Sequence, residues 1–196
     1  MSDESMCNET KYGLRGVYTL IIRFPRPCKA GIRKHMPVVV DRGLYLYTGS
    51  ASGRGSTSLE GRIRRHLRRE KKEFWHVDRI LAYESAHVVS VIYAVTTSKP
   101  ECRVNAALLK HTNILAPFKG LGSSDCRCES HFLEARESLR SLRQEVRSCY
   151  TALRLRPRVL KTPRAGYSIN ITTSQHRLNT EATAKRIRMP WPTPRR

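Results

Sequence analysis

Residues 44–66 read Leu44-Tyr45-Leu46-Tyr47-Thr48-Gly49-Ser50-Ala51-Ser52-Gly53-Arg54-Gly55-Ser56-Thr57-Ser58-Leu59-Glu60-Gly61-Arg62-Ile63-Arg64-Arg65-His66. Leu44 to Tyr47 has strand character, and Thr48 to Ser58 is a loop of small residues and glycines. A helix then starts near Leu59, because Thr57-x-x-Glu60 is a capping box ahead of an apolar spacing at Leu59, Ile63 and Leu67. Arginines occupy the open side of that helix. A strand, a small-residue loop and a basic helix in this order surround one phosphate-sized space.

Upstream, Gly16-Val17-Tyr18-Thr19-Leu20-Ile21-Ile22-Arg23-Phe24 is β-branched or aromatic on both faces, the pattern of a central strand, and Pro25-Arg26-Pro27 ends it. Val38-Val39-Val40, Asp41-Arg42-Gly43 and Leu44 to Tyr47 read as a hairpin closed by a glycine-containing turn. Downstream, Trp75-His76-Val77-Asp78 opens a helix with Val77, Ile80 and Leu81 inward, and Val88 to Val95 is a strand. Lys99-Pro100-Glu101 opens a helix through about Leu109, with Pro near its first position and an acid in its first turn. This order predicts an α/β fold, a small mixed sheet flanked by helices.

Further on, Phe132, Ala135, Leu139, Leu142, Val146, Cys149 and Leu153 follow a 3-4 spacing, the seam of a helix that needs one partner. Docking on its own domain is the simpler reading of that seam; a homodimer through helix 132–153 is the sharper one. From Pro157 the chain is rich in Pro, Thr, Ser and Arg, a basic, extended tail. The expected organisation is a flexible N-terminus (1–12), a folded domain (13–133), an amphipathic Arg-rich helix (134–156) and the tail (157–196).

Lys and Arg number 37 against 16 Asp and Glu, a formal charge of +21. Such a surface attracts a polyanion, since each neutralised phosphate releases counterions, and nucleic acid is the expected partner. No apolar run reaches the length of a spanning helix, and Ser2-Asp3-Glu4 is unlike a signal peptide, so the expected setting is cytoplasmic with no membrane partner. The six cysteines are scattered, and free thiols are the expectation. Asp125-Cys126-Arg127-Cys128-Glu129-Ser130-His131 carries zinc-ligand residue types, but no second knuckle accompanies Cys126, Cys128 and His131. A tight turn of small packed thiols is therefore preferred to Zn²⁺ there.

Cleaving a phosphodiester requires an activated nucleophile, neutralisation of the growing charge and help for the leaving oxygen. Arg62 and His66 are four residues apart and share one helix face. Arg62 can hold a non-bridging phosphate oxygen and His66 can relay a proton. Tyr18 and Tyr47 lie on strands that could be neighbours. A phenol with its ordinary pKa of about 10 needs help from a cation or a metal to act as a base. Glu101 suits a hard divalent ion such as Mg²⁺ or Mn²⁺, with Asp78 and Asp125 as rivals. Gly49, Ser50, Arg65, Arg69 and His76 are candidate substrate contacts. Singly, each tyrosine reads more readily as an ordinary half-buried strand residue than as a catalytic one, and Arg62 and His66 read also as part of a solvated basic face.

At these residues the chain resembles the GIY-YIG nuclease superfamily. Gly16-Val17-Tyr18 and Tyr47-Thr48-Gly49 stand for the two motif halves, and Leu59-x-x-Arg62-x-x-x-His66 for the signature helix. Phe74-Trp75-His76-Val77-Asp78, Glu101-Cys102 and Leu121-Gly122-Ser123-Ser124-Asp125-Cys126-x-Cys128-x-Ser130-His131 look like an archaeal and bacterial branch of it. The resemblance covers roughly residues 13–133. It implies a small α/β fold with a three-stranded antiparallel sheet and a metal-dependent endonuclease acting on DNA. Tyr18 would be the general base or its relay, Tyr47 would position water or phosphate, Arg62 would stabilise the phosphate, His66 would assist proton transfer and Glu101 would hold Mg²⁺. Two departures stand out: the long segment 19–46 between the motif halves, and Thr48 where the family has an apolar residue.

Two function classes follow. One is a structure- or damage-directed DNA endonuclease of repair or recombination type. The other is a non-catalytic nucleic-acid-binding module that retains the fold; an RNA-directed nuclease is a further alternative.

Overall fold

The computed structural model describes residues 13–33, 36–68 and 76–160, the side chains of 30–37 and 76 excepted. The expected flexible N-terminus therefore lies outside the described residues, as does the tail beyond residue 160. Strand β1 (Gly16–Phe24) is buried on both faces, Val17 and Ile21 on one and Tyr18, Leu20, Ile22 and Phe24 on the other. A strand apolar on both sides belongs in the middle of a sheet, covered by helices on each face.

Two further strands follow β2 (Cys28–Arg33) and β3 (Met36–Val40): β4 (Gly43–Ala51) and, later, β5 (His87–Val95). Strands β4 and β5 flank β1, both antiparallel to it. The expected three-stranded sheet is only the middle of a larger one. Strand β7 (Phe132–Ala135) joins β4, β6 (Ile114–Leu115) joins β7, and β8 (Arg158–Leu160) joins β5. The result is a six-stranded sheet in the order β6-β7-β4-β1-β5-β8. The added strands satisfy backbone groups along β4 and β5 that the buried setting would otherwise leave unpaired.

The expected hairpin between Val38–Val40 and Leu44–Tyr47 does not form. Strand β3 pairs with β2 in a separate two-stranded sheet, and β4 pairs with β1 and β7. The burial pattern gives the reason: β4 is buried from Leu44 to Gly49 and takes an interior place, whereas Val39 of β3 is exposed. The segment between Tyr18 and Tyr47 thus contains a side hairpin, and the two tyrosines stay together because their strands pair directly. Strand β4 also extends through Ala51, into residues expected to be loop.

Helix α1 (Leu59–Leu67) and helix α2 (His76–Leu81) cover one face through Leu59, Ile63, Val77 and Ile80. Helix α3 (Glu101–Leu108) and helix α4 (Leu139–Ala152) cover the other through Val104, Leu108, Leu142 and Val146. Helix α1 is capped by Ser58, one residue after the expected Thr57: the Ser58 Oγ accepts the Gly61 N–H at 3.1 Å, worth about 1 kcal/mol.

The helix expected over 132–153 is two elements. Phe132–Ala135 is strand β7, drawn into the sheet by β4, and the helix begins only after the Ser138 cap, whose Oγ accepts the Ser141 N–H. Its apolar face, Leu142, Val146, Cys149 and Tyr150, is buried in its own domain. Among the described residues no helix is long and apolar enough to cross a membrane.

Candidate active site

Tyr18 on β1 lies opposite Gly49 on β4, and its side chain is fully buried beneath α1. The hydroxyl meets His66 Nε2 at 2.8 Å. On the far side of that imidazole, Nδ1 lies 3.4 Å from Asp78 Oδ1, and Asp78 has no exposed surface. The Arg65 Nη2 and Nε groups both donate to Asp78 Oδ2, at 2.8 and 3.2 Å. A line of polar groups therefore runs from the sheet outward: phenol, imidazole, carboxylate, guanidinium. The tautomer that suits it carries the proton on Nδ1, facing Asp78, and leaves Nε2 to accept from Tyr18.

This arrangement changes two sequence assignments. Asp78, a rival for the metal, stands behind His66 with its charge met by Arg65. Arg65, a candidate substrate contact, is turned inward to do so, because an unpaired carboxylate at that depth would be very costly. Helix α2 supplies Asp78 and helix α1 supplies both partners.

Tyr47 completes an aromatic triangle, its ring centroid 6.5 Å from Tyr18 and 5.9 Å from His66. Burial pushes Tyr18 up to about 12, while the Arg62 guanidinium beside it pulls the other way; the Asp78 and Glu101 charges push it up further. Burial also raises Tyr47 well above the ordinary phenol value. Both phenols are protonated near neutral pH. Arg62 and Glu101 thus share Tyr18's surroundings, although they come from opposite sides of the sheet. Glu101 is partly exposed, yet its Oε2 is buried without a hydrogen-bond partner among the described residues.

Two glycines beside the tyrosines provide space. A Cβ on Gly49 would lie 2.7 Å from the Tyr18 hydroxyl oxygen, so this candidate substrate contact is the clearance for the tyrosine ring. Gly122 has φ +75°, and a Cβ there would lie 2.8 Å from the Tyr47 ring. Thr48 is fully buried and faces the neighbouring strand: its Oγ1 meets Thr19 Oγ1 at 3.1 Å, and that hydroxyl meets the Tyr150 hydroxyl at 3.0 Å. Ser50 is half-buried near the end of β4, opposite Val17. Arg69 and Trp75 lie outside the described residues, and His76 opens α2 with its side chain likewise outside them. Asp125 is exposed, with its charge felt at Tyr47 and His131.

Beside this site the cysteine turn gains a member that the sequence spacing hid. Cys102, in the first turn of α3, joins Cys126, Cys128 and His131, and the four ligand atoms all lie within 4.8 Å of one another. The cluster could hold a metal ion. A packed turn of thiols, the preferred reading of Cys126 and Cys128, omits the helix that closes the set. Only residue type could have flagged Cys102; its distance along the chain from Cys126 matches no knuckle.

Comparison with curated proteins and with solved structures finds no match. Residues 17–155, which include the tyrosines, both flanking helices and the cysteine cluster, match the family model described as the domain of unknown function DUF123. The chain belongs to the DUF123 family.

Proposed function

We propose that the chain is a metal-dependent endonuclease that hydrolyses phosphodiester bonds of DNA, acting on a structured or damaged site in the manner of repair and recombination enzymes. One observation carries the reading: the Tyr18 hydroxyl is hydrogen-bonded to an imidazole backed by a buried carboxylate, and it stands beside Arg62 and Glu101. The resemblance to GIY-YIG nucleases supports it, because the tyrosines, the arginine and the histidine of that motif are the residues that converge here.

A phenol held near 12 is no base by itself at neutral pH. The relay answers this: Tyr18 passes its proton to His66 Nε2 as it takes one from the attacking water, whose oxygen bonds to phosphorus while the bond to the leaving oxygen breaks; that oxygen takes its proton from solvent, and Asp78 steadies the imidazolium that results. Arg62 stabilises the charge that develops on the Tyr18 oxygen during this exchange and holds a non-bridging phosphate oxygen. Tyr47 fixes the position of the reacting groups. The buried Oε2 of Glu101, without a hydrogen-bond partner among the described residues, fits a hard cation better than a hydrogen-bond role. Bound Mg²⁺ or Mn²⁺ would supply Lewis-acid stabilisation of the phosphate charge. A cytoplasmic setting suits both the nucleic-acid partner and the free thiols.

The second reading, a binding module without chemistry, draws on the +21 charge, which attracts DNA or RNA regardless of a site, and on the complete burial of Tyr18. The test is cleavage of a labelled panel (single strand, duplex, flap, fork and four-way junction, in DNA and RNA) with Mg²⁺, Mn²⁺ or EDTA, by wild type and Arg62→Ala. The endonuclease cuts at least one DNA member with metal, and Arg62→Ala binds it without cutting. Binding across the panel with no cleavage under any metal selects the module, and cleavage confined to RNA selects an RNA-directed enzyme.

A further inference from the structure

The cysteine cluster lies beside the proposed active site but takes no part in its chemistry. Its ligands come from two distant stretches of chain: Cys102 from the start of α3, and Cys126, Cys128 and His131 from the loop that enters β7. The His131 Nε2 is 3.5 Å from the Cys126 Sγ and 3.9 Å from the Cys102 Sγ. With zinc–sulfur bonds of about 2.3 Å and zinc–nitrogen bonds of about 2.0–2.1 Å, tetrahedral ligand atoms are roughly 3.4–3.8 Å apart. The cluster is therefore already gathered to nearly the spacing one ion requires. A four-iron cluster, in which each thiolate takes a separate iron, needs a wider set.

The backbone around these ligands is fixed independently of any ion. The His131 N–H donates to the Leu121 carbonyl at 2.8 Å, and the His131 carbonyl accepts the Thr48 N–H at 3.1 Å. Asn105, one turn along α3 from Cys102, donates through Nδ2 to the Ser130 carbonyl at 2.7 Å. The loop turns through Gly120 and Gly122, both at positive φ. Three thiols and an imidazole packed together offer one another few good hydrogen bonds, whereas a cation satisfies all four.

We propose that Cys102, Cys126, Cys128 and His131 bind one zinc ion in a closed, structural site that ties the start of α3 to the loop before β7. Three soft thiolates and one imidazole with no open position are the ligand set of structural rather than catalytic zinc. The adjacent residue on α3 is Glu101, so the ion also anchors the carboxylate assigned to Mg²⁺. That last consequence rests on the nuclease reading; the zinc site does not.

Elemental analysis of the purified full chain tests this without any substrate, so a failed zinc site and a failed nuclease remain distinguishable. The expected result is one zinc per chain, retained in Cys28→Ser and lost in Cys102→Ser. In wild type the cluster thiols should resist a thiol reagent until a chelator is added, and chelation should lower the melting temperature by on the order of 10 °C. Cobalt added to the stripped chain should give the visible bands of a tetrahedral thiolate site. Wild-type chain without zinc whose cluster thiols react at once, iron in its place, or full zinc retained in Cys102→Ser would each overturn the proposal. The thiol-protection measurement decides the matter even if Cys102→Ser does not fold.

Discussion

Asp78 carries a carboxylate to a position with no exposed surface, where it meets His66 on one side and Arg65 on the other. Removing its charge leaves the half-buried guanidinium facing a neutral amide and weakens the hold on the His66 tautomer. Asp78→Asn should destabilise the fold by about 2 kcal/mol in denaturant melts and slow cleavage while leaving DNA affinity near wild type. A variant as stable and as active as wild type would show that the carboxylate is a bystander. At this scale the sequence is legible where the chemistry lies on one helix: Arg62 and His66 announce themselves by their four-residue spacing. It is opaque where the partner comes from another element. Asp78 reaches His66 only because α2 packs beside α1, and Cys102 reaches Cys126 only because the start of α3 meets the loop before β7. Gly49 reads from sequence as a loop glycine open to a ligand, and only the register with Tyr18 reveals it as clearance for a ring.

Helix α4 ends in a strained residue. Arg154, just past its C-cap, has φ 59°, while the Leu155 N–H closes back on the Tyr150 carbonyl at 3.0 Å. This is the left-handed helix-ending geometry that glycine adopts without the Cβ clash. Arg154→Gly should therefore raise stability by up to about 1 kcal/mol, read as a shift in the denaturant midpoint with no change in slope. A loss of stability would mean that the arginine side chain contributes more than its backbone costs. The elements themselves differ in legibility for physical reasons. Strand β1 is plain because β-branched residues fill both faces. The end of β4 is hidden, since Thr48-Gly49-Ser50-Ala51 has the composition of a loop and becomes a strand by pairing with Gly16–Thr19. The stretch before α4 misleads because Phe132, Ala135 and Leu139 continue a helical spacing by coincidence; four residues are too few for period to separate strand from helix, and pairing with β4 decides.

Over the whole molecule, the sheet buries tyrosines on both faces. Burial pushes Tyr18 and Tyr45 up to about 12 and raises Tyr47 and Tyr150 well above the ordinary value. The folded state thus holds these protons more tightly than the unfolded chain, whose phenols release theirs near pH 10. As pH rises from about 10 to about 12 the native state binds more protons than the unfolded one, so stability is intact below this window and falls across it. Ultraviolet titration should show at least four of the eight tyrosines ionising late, together with loss of structure. Eight ordinary titrations in a folded protein would contradict this burial. The α/β class and the layered arrangement were readable from the alternation of strands and helices. The width of the sheet was not, because its outer strands are as short as two residues and carry no period of their own.

The central claim is that Tyr18, supported by His66 and Asp78, does chemistry on a phosphodiester. Tyr18→Phe removes one oxygen and keeps the ring that fills the buried slot beneath α1, so folding and DNA affinity are expected to stay near wild type. The most direct measurement is the single-turnover cleavage rate of wild type and Tyr18→Phe on the best-cut member of the DNA panel, with Mg²⁺ and with binding measured in parallel. The account predicts a loss of about 10²–10⁴-fold in rate with binding unchanged within twofold. Equal rates for the two proteins, or equally tight binding with no cleavage by wild type, would contradict it.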